Sequence, residues 1–107
     1  MREVVYRPRA AFDVESIVTY ISVVLHSPQA AENWYAQLLE ALDLLCGQPM
    51  LGCEFNDTYL KHHNRRSFLV GSYRLFYSFS ANTLTVWRVL HTTQDMDDFA
   101  LVEWEEG

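Results

Sequence analysis

The sequence predicts a single α+β domain: an N-terminal strand, an antiparallel αα-hairpin packed on an antiparallel β-sheet meander, and a short C-terminal helix. Three observations carry this reading. Apolar residues recur at spacings of three and four between Ala10 and Leu25 and again between Ala31 and Leu45. Aromatic and β-branched residues then crowd into three short runs between Ser67 and Leu90, each bounded by turn-forming residues. At 107 residues, half of them hydrophobic, the chain has material for one core and one domain.

Glu3 to Tyr6 reads as the opening strand, ended by Pro8, whose fixed φ and missing N–H suit the first turn of a helix. From Ala10 to Leu25, Val14, Ile17, Val18, Ile21, Val24 and Leu25 mark one helical face, against the weak helix preference of so many β-branched residues. Ser27-Pro28 is a start signal, Ser as N-cap and Pro at the first helical position, and Ala31, Trp34, Tyr35, Leu38, Leu42 and Leu45 form the apolar face of the second helix. Gly47 and Pro49 stop it. A connection this short folds the two helices back antiparallel, and their apolar faces need a sheet to cover.

The sheet is expected from Ser67 to Val70, Tyr73 to Phe79 and Leu84 to Leu90, joined by Gly71-Ser72 and by Ser80 to Thr83. An even-numbered loop centred on Ala81-Asn82 sets Phe79 against Leu84, Tyr77 against Val86, Leu75 against Arg88 and Tyr73 against Leu90, on the face that meets the helices. The opposite face then carries Arg74, Phe76, Ser78, Thr85, Trp87, Val89 and His91, an open binding surface. In the tail, Met96, Phe99 and Val102 stand at threefold spacing behind Asp95, Asp97 and Asp98, which favour a helix N-terminus.

Charge is distributed unevenly. Between Thr58 and His91 there is no Asp or Glu, yet Lys61, Arg65, Arg66, Arg74 and Arg88 lie there with His62, His63 and His91. All 14 acidic residues lie outside that stretch, and the net charge is −6. A concentrated cationic strip within an acidic protein points to a complementary partner surface, and the overall sign disfavours direct DNA binding. No apolar run approaches the roughly 18 residues of a membrane span, and Met1-Arg2-Glu3 lacks the start of a signal peptide, so a cytoplasmic protein is expected. Cys46 and Cys53 form neither a C-x-x-C motif nor a disulfide framework, and His62 and His63 have no second ligand pair at metal spacing. No metal and no cofactor is expected.

The order of elements resembles the RelE/ParE superfamily of toxins from bacterial type II toxin–antitoxin (plasmid stabilisation) systems. Gly71-Ser72-Tyr73-Arg74-Leu75-Phe76-Tyr77 looks like the family's Gly-x-Tyr-Arg-φ-φ-Tyr strand, and Trp87-Arg88-Val89-Leu90-His91 looks like the Arg-Val-Leu-His strand of the ParE branch. The opening strand followed by Pro8 and Ala11 also fits.

In the RelE branch the resemblance implies ribosome-dependent cleavage of messenger RNA, which needs a base for the 2′-hydroxyl, cations for the phosphate and an acid for the leaving oxygen. Arg74 matches the strand arginine of that branch, and His62, His63 and His91 titrate in the right range to serve as acid or base. Thr92-Thr93-Gln94-Asp95 stands where RelE-like enzymes carry basic residues, and Lys61 is the only lysine for phosphate contacts. In the ParE branch the resemblance implies a non-enzymatic toxin that poisons DNA gyrase by binding it. Gln94 stands near the position where ParE-like toxins carry an arginine, which leaves a third reading, a degenerate toxin that only binds its antitoxin.

Both branches imply a cognate antitoxin whose acidic C-terminal segment masks the toxin, with Lys61, Arg65, Arg66, Arg74, Trp87, Arg88 and His91 as the residues expected to meet antitoxin or target. Each also has a plainer role. Tyr73, Tyr77, Phe79 and Trp87 suit strand packing, Arg88 suits pairing with Glu15 or Glu40, His91 suits a backbone carbonyl, and Arg65 and Arg66 suit solvated edge protection. Arg74, between apolar neighbours in a central strand, must face outward or find a partner.

Overall fold

The computed structural model describes residues 2–54 and 65–92. A five-stranded sheet is covered on one side by two helices. In chain order the elements are β1 (Glu3–Tyr6), α1 (Pro8–Thr19), a π-helical segment (Tyr20–Val24), α2 (Pro28–Gly47), a 3₁₀ turn (Pro49–Leu51), β2 (Cys53–Glu54), β3 (Arg65–Val70), β4 (Tyr73–Phe79) and β5 (Thr83–His91). The expected C-terminal helix from Gln94 to Trp104 lies outside the described residues.

The sheet order is β1-β5-β4-β3-β2. The meander β3-β4-β5 is antiparallel as expected, but β1 joins it in parallel along β5, from Glu3 opposite Thr83 to Tyr6 opposite Val86, so the sheet is mixed. A parallel neighbour needs a long crossover, and the helical hairpin between β1 and the meander belongs to it. The two-residue β2 pairs with Ser67 and Arg66 of β3. Arg2 ties the beginning of the chain down: Nε donates to the Ser80 carbonyl at 2.6 Å, Nη1 to the Cys46 carbonyl at 3.1 Å, and the guanidinium lies 5.5 Å from the Phe79 ring centre.

Pro8 occupies the first turn of α1, and Ser27 caps α2 by accepting from the Ala30 N–H at 3.3 Å, with Pro28 next. The first helix does not continue regularly to Leu25. From Tyr20 it widens, with Leu25 N–H donating five residues back to Tyr20 at 3.0 Å, in a stretch crowded with the β-branched Ile21, Val23 and Val24. His26, in the left-handed region at φ 51°, closes it. Val24 and Leu25, expected on the core face, are consequently exposed, as is Val23.

The core lies between the helices and one sheet face. Ala10, Ile17 and Ile21 from the first helix and Ala31, Trp34, Leu38, Leu42 and Leu45 from α2 pack on Leu75, Tyr77, Leu84, Val86 and Val89. Burying each of the larger aliphatic side chains contributes about 1.5–3 kcal/mol relative to exposure, and each alanine methyl less. Cys46 belongs to this core, where burial pushes its thiol above the ordinary value, while Cys53 is exposed. Tyr35, expected on the core face, is half out of it.

The β4–β5 register departs from the expected one midway. Phe79 faces Leu84 and Tyr77 faces Val86 as anticipated, but Phe76 then faces Arg88, Leu75 faces Val89, Arg74 faces Leu90 and Tyr73 faces His91. Trp87 is the extra residue of a β-bulge, and every residue after it changes side. Val89 therefore joins the core and His91 the helix-facing side, whereas Arg88 and Leu90 move to the far face. The bulge sits just past the end of β1, where Arg7 N–H donates the last interstrand bond to the Val86 carbonyl at 2.9 Å.

Candidate functional site

The sheet face away from the helices carries Arg65, Ser67 and Leu69 of β3, Arg74, Phe76 and Ser78 of β4, and Thr85, Trp87, Arg88 and Leu90 of β5. Its middle is not the open surface the sequence suggests. Phe76 is fully buried, Leu90 and Ser67 are buried, and Arg65 is only 5% exposed. Arg65 is thus not a solvated guard of the sheet edge. Trp87 is held on this face by its indole N–H, which donates to Ser78 Oγ at 2.8 Å, and lies between two guanidiniums, Arg7 at 5.1 Å and Arg65 at 6.0 Å from the ring centre. Arg74 donates to Ser67 Oγ at 3.2 Å and remains half-exposed. The face is cationic and aromatic, with Arg74 and Arg88 its partly exposed strand arginines.

Arg88 pairs with neither Glu15 nor Glu40 but with Asp13 of α1. Nε reaches Oδ2 at 2.7 Å and Nη2 reaches Oδ1 at 3.1 Å, and Oδ2 also accepts the Val89 N–H at 3.0 Å. The bulge explains the partner, because it sends Arg88 round the sheet edge that β1 has left open. Arg66, on the helix side, donates to the Gly52 carbonyl at 2.8 Å and more weakly to the Met50 carbonyl at 3.4 Å. Tyr77 supports the same loop: its hydroxyl donates to the Pro49 carbonyl at 2.5 Å and accepts the Gly52 N–H at 3.1 Å. Burial raises the Tyr77 phenol above its ordinary value, which keeps the donor in place. A Cβ on Gly52 would run into the Tyr77 hydroxyl and stand 2.6 Å from the Ser67 carbonyl, so this loop closes only with glycine there.

His91 ends an aromatic cluster on the helix side. Its ring meets Tyr73 edge-on at 5.1 Å, Tyr73 meets Trp34 at 5.3 Å, and the Trp34 N–H donates to the Val70 carbonyl at 3.1 Å. Arg74 and His91, which the sequence placed on one face, therefore lie on opposite sides of the sheet. Lys61, His62 and His63 lie outside the described residues. Sequence reasoning missed Asp13 and Arg7, since neither stands in a motif and only the structure around Trp87 and Arg88 brings them in.

Among the described residues no group of three potential ligands could hold a metal ion, and no helix is long and apolar enough to cross a membrane. The fold is shared with chains solved in toxin–antitoxin systems. The chromosomal ParDE system from P. aeruginosa superposes with a TM-score of 0.65 at 15% identity, covering 85% of this chain and 96% of that one. The toxin–antitoxin complex RelBE2 from Mycobacterium tuberculosis superposes with a TM-score of 0.52 at 18% identity, covering 84% and 96%. No curated protein matches the sequence significantly. The sequence model of the ParE toxin of the type II toxin–antitoxin system parDE matches residues 4–96. Together with the Arg-Val-Leu-His strand, which here carries the Asp13 pair and the His91 cluster, this match establishes that the chain belongs to the ParE toxin family of type II toxin–antitoxin systems.

Proposed function

We propose that this ParE-type toxin arrests growth by binding DNA gyrase, and that a cognate acidic antitoxin keeps it silent. The observation that carries the reading is the bulge at Trp87. General acid–base cleavage of RNA needs the phosphate-holding cation and the proton-transferring group around one reacting centre. Here Arg74 and His91 project to opposite sides of the sheet, and Arg88 is engaged by Asp13. Binding a protein needs no such convergence, and a net charge of −6 does not oppose it. The far sheet face, with Arg74 and the Trp87 cluster, suits an acidic antitoxin segment.

The test is pulse-labelling of DNA and protein synthesis within minutes of inducing the toxin alone. Arrest of DNA synthesis first, followed by gyrase-dependent cleavage complexes with purified components, is the expected result. Earlier arrest of protein synthesis would replace the gyrase reading with the endoribonuclease one, and arrest of neither would leave a chain that only binds its antitoxin.

A further inference from the structure

An open pocket of about 480 Å3 lies where the start of α1 passes β5, lined by Pro8, Arg9, Phe12, Asp13 and Arg88. Phe12 is 69% exposed, more than any other large apolar side chain among the described residues. It stands off the face that α1 gives to the core, which Ala10 and Ile17 make, so the fold gains little from an aromatic ring there. Arg9, exposed and three residues before Phe12, shares its face of the helix.

The charge around that ring is cationic. Both Asp13 oxygens are taken by Arg88, and one of them also by the Val89 N–H, so the single carboxylate of the pocket is engaged within the fold. Arg88 uses Nε and Nη2 in that pair, which leaves Nη1 without a hydrogen bond to any described residue. Arg7 and Arg9 flank Pro8 at the start of α1, whose first turn holds no acidic residue, although the helix dipole disfavours cations there. An anionic partner turns this local cost into attraction, whereas a basic one adds like charge. The pocket is also preformed. The two-pronged pair fixes Arg88, and a helix carries Arg9 and Phe12, so little ordering accompanies binding.

We infer that this pocket receives a projecting acidic segment of gyrase, in which one apolar side chain packs on Phe12 while neighbouring Asp or Glu carboxylates meet Arg9 and Nη1 of Arg88. The inference rests on the gyrase reading above and names the surface that makes the contact. A space of this volume holds a few side chains, the size of a loop tip on a folded protein, whereas an antitoxin that masks the toxin gains its hold from extended coverage. Aromatic and arginine side chains are also the ones that dominate the binding energy of a protein contact. The pocket adjoins the Trp87 cluster, since Arg9 stands two residues beyond Arg7 and Arg88 follows Trp87. An antitoxin segment on the sheet face beside Trp87 therefore stands in the way of gyrase without filling the pocket.

The experiment titrates purified gyrase onto the immobilised full chain by surface plasmon resonance, with the antitoxin encoded beside the toxin titrated in parallel. Phe12→Ala and Arg9→Glu should each weaken gyrase binding about tenfold or more, and their melting curves confirm folding. Arg9→Lys, which keeps the charge, should retain most of the affinity, and the loss in Arg9→Glu should shrink as salt is raised. Met50→Ala removes a side chain that is 66% exposed on the loop after α2 and should bind gyrase like the wild type. That pattern supports the assignment whether or not antitoxin affinity falls with it. Wild-type gyrase affinity in Phe12→Ala or Arg9→Glu, or an equal loss in Met50→Ala, overturns the pocket while the gyrase reading stands. Loss of antitoxin affinity with gyrase affinity unchanged gives the pocket to the antitoxin and likewise overturns it. No binding of gyrase to the wild-type chain overturns the gyrase reading and the occupant with it.

Discussion

Asp13 and Arg88, 75 residues apart in sequence, meet in a two-pronged ion pair that fastens α1 to the open edge of β5. One Asp13 oxygen also takes the Val89 N–H, the backbone donor that β1 is too short to reach. Their side chains are only 12% and 25% exposed, so the pair is screened less than a surface salt bridge. Asp13→Ala leaves both a guanidinium and an N–H without an acceptor. We expect a loss of about 2–3 kcal/mol, a fall in Tm on the order of 10 °C, with Asp13→Asn costing less because it still accepts from Val89. Thermal melts of Asp13→Ala, Asp13→Asn, Arg88→Ala and the double variant Asp13→Ala/Arg88→Ala check this. If the double variant is no more stable than the sum of the two single losses predicts, the pair is not coupled as its geometry requires.

Tyr77 supports the loop between α2 and β2 through one hydroxyl. Tyr77→Phe strands the Pro49 carbonyl and the Gly52 N–H, both in a buried setting, and should cost about 2 kcal/mol in a urea titration. It should also change the alkaline limb of stability. Burial is the leading cause that holds the phenols of Tyr6, Tyr73 and Tyr77 above the ordinary value of 10.0. Above about pH 10 the unfolded chain loses these protons while the folded chain keeps them, so stability is full below that pH and falls as pH rises. The fall should be shallower in Tyr77→Phe, and an unchanged slope would show that Tyr77 does not contribute to it.

Two glycines should respond to alanine for different reasons. Gly71, at φ 60° in the Gly71-Ser72 turn, has room for a methyl group, whose nearest neighbour would be Trp34 at 3.4 Å, so Gly71→Ala carries only backbone strain of about 1–2 kcal/mol. Gly52 has an ordinary φ of −69° but no space beside Tyr77 and Ser67. Gly52→Ala must displace the loop, and combining it with Tyr77→Phe should recover part of the loss because the obstructing hydroxyl is gone. Melting of the three variants decides it; no recovery would place the obstruction at the Ser67 carbonyl instead.

Local chemistry made much of this fold legible in the sequence. Ser27-Pro28 caps and starts a helix by the same short-range bonds wherever it stands, Gly71 selects a two-residue turn, and the even loop at Ala81-Asn82 sets the register of its nearest pairs. What could not be read depends on neighbours. Nothing about Glu3-Val-Val-Tyr6 says that it pairs in parallel with β5 or that it stops at Val86, and the bulge just past that stop is marked by no glycine near Trp87. Because strand alternation has a period of two, that one extra residue was enough to reassign Arg88, Val89, Leu90 and His91. The Asp13 partner was illegible for the same reason. Tyr35 was misplaced for a different reason, since it stands at core spacing yet its ring is 43% exposed.

Trp87 offers the sharpest separation of folding from action. Its ring is packed between Arg7 and Arg65 and its N–H is used by Ser78, so Trp87→Ala removes a large half-buried side chain and should cost about 3 kcal/mol or more. Loss of toxicity in that variant would report an unstable protein. Trp87→Phe keeps an aromatic face between the guanidiniums and gives up the bond to Ser78, with an expected cost of about 1 kcal/mol. If Trp87 acts by packing, the phenylalanine variant melts slightly lower yet arrests growth on induction at the wild-type dose, and Ser78→Ala matches it. If growth arrest is lost while the protein remains folded, the indole N–H leaves Ser78 to bond the target, and Ser78→Ala should then retain full toxicity.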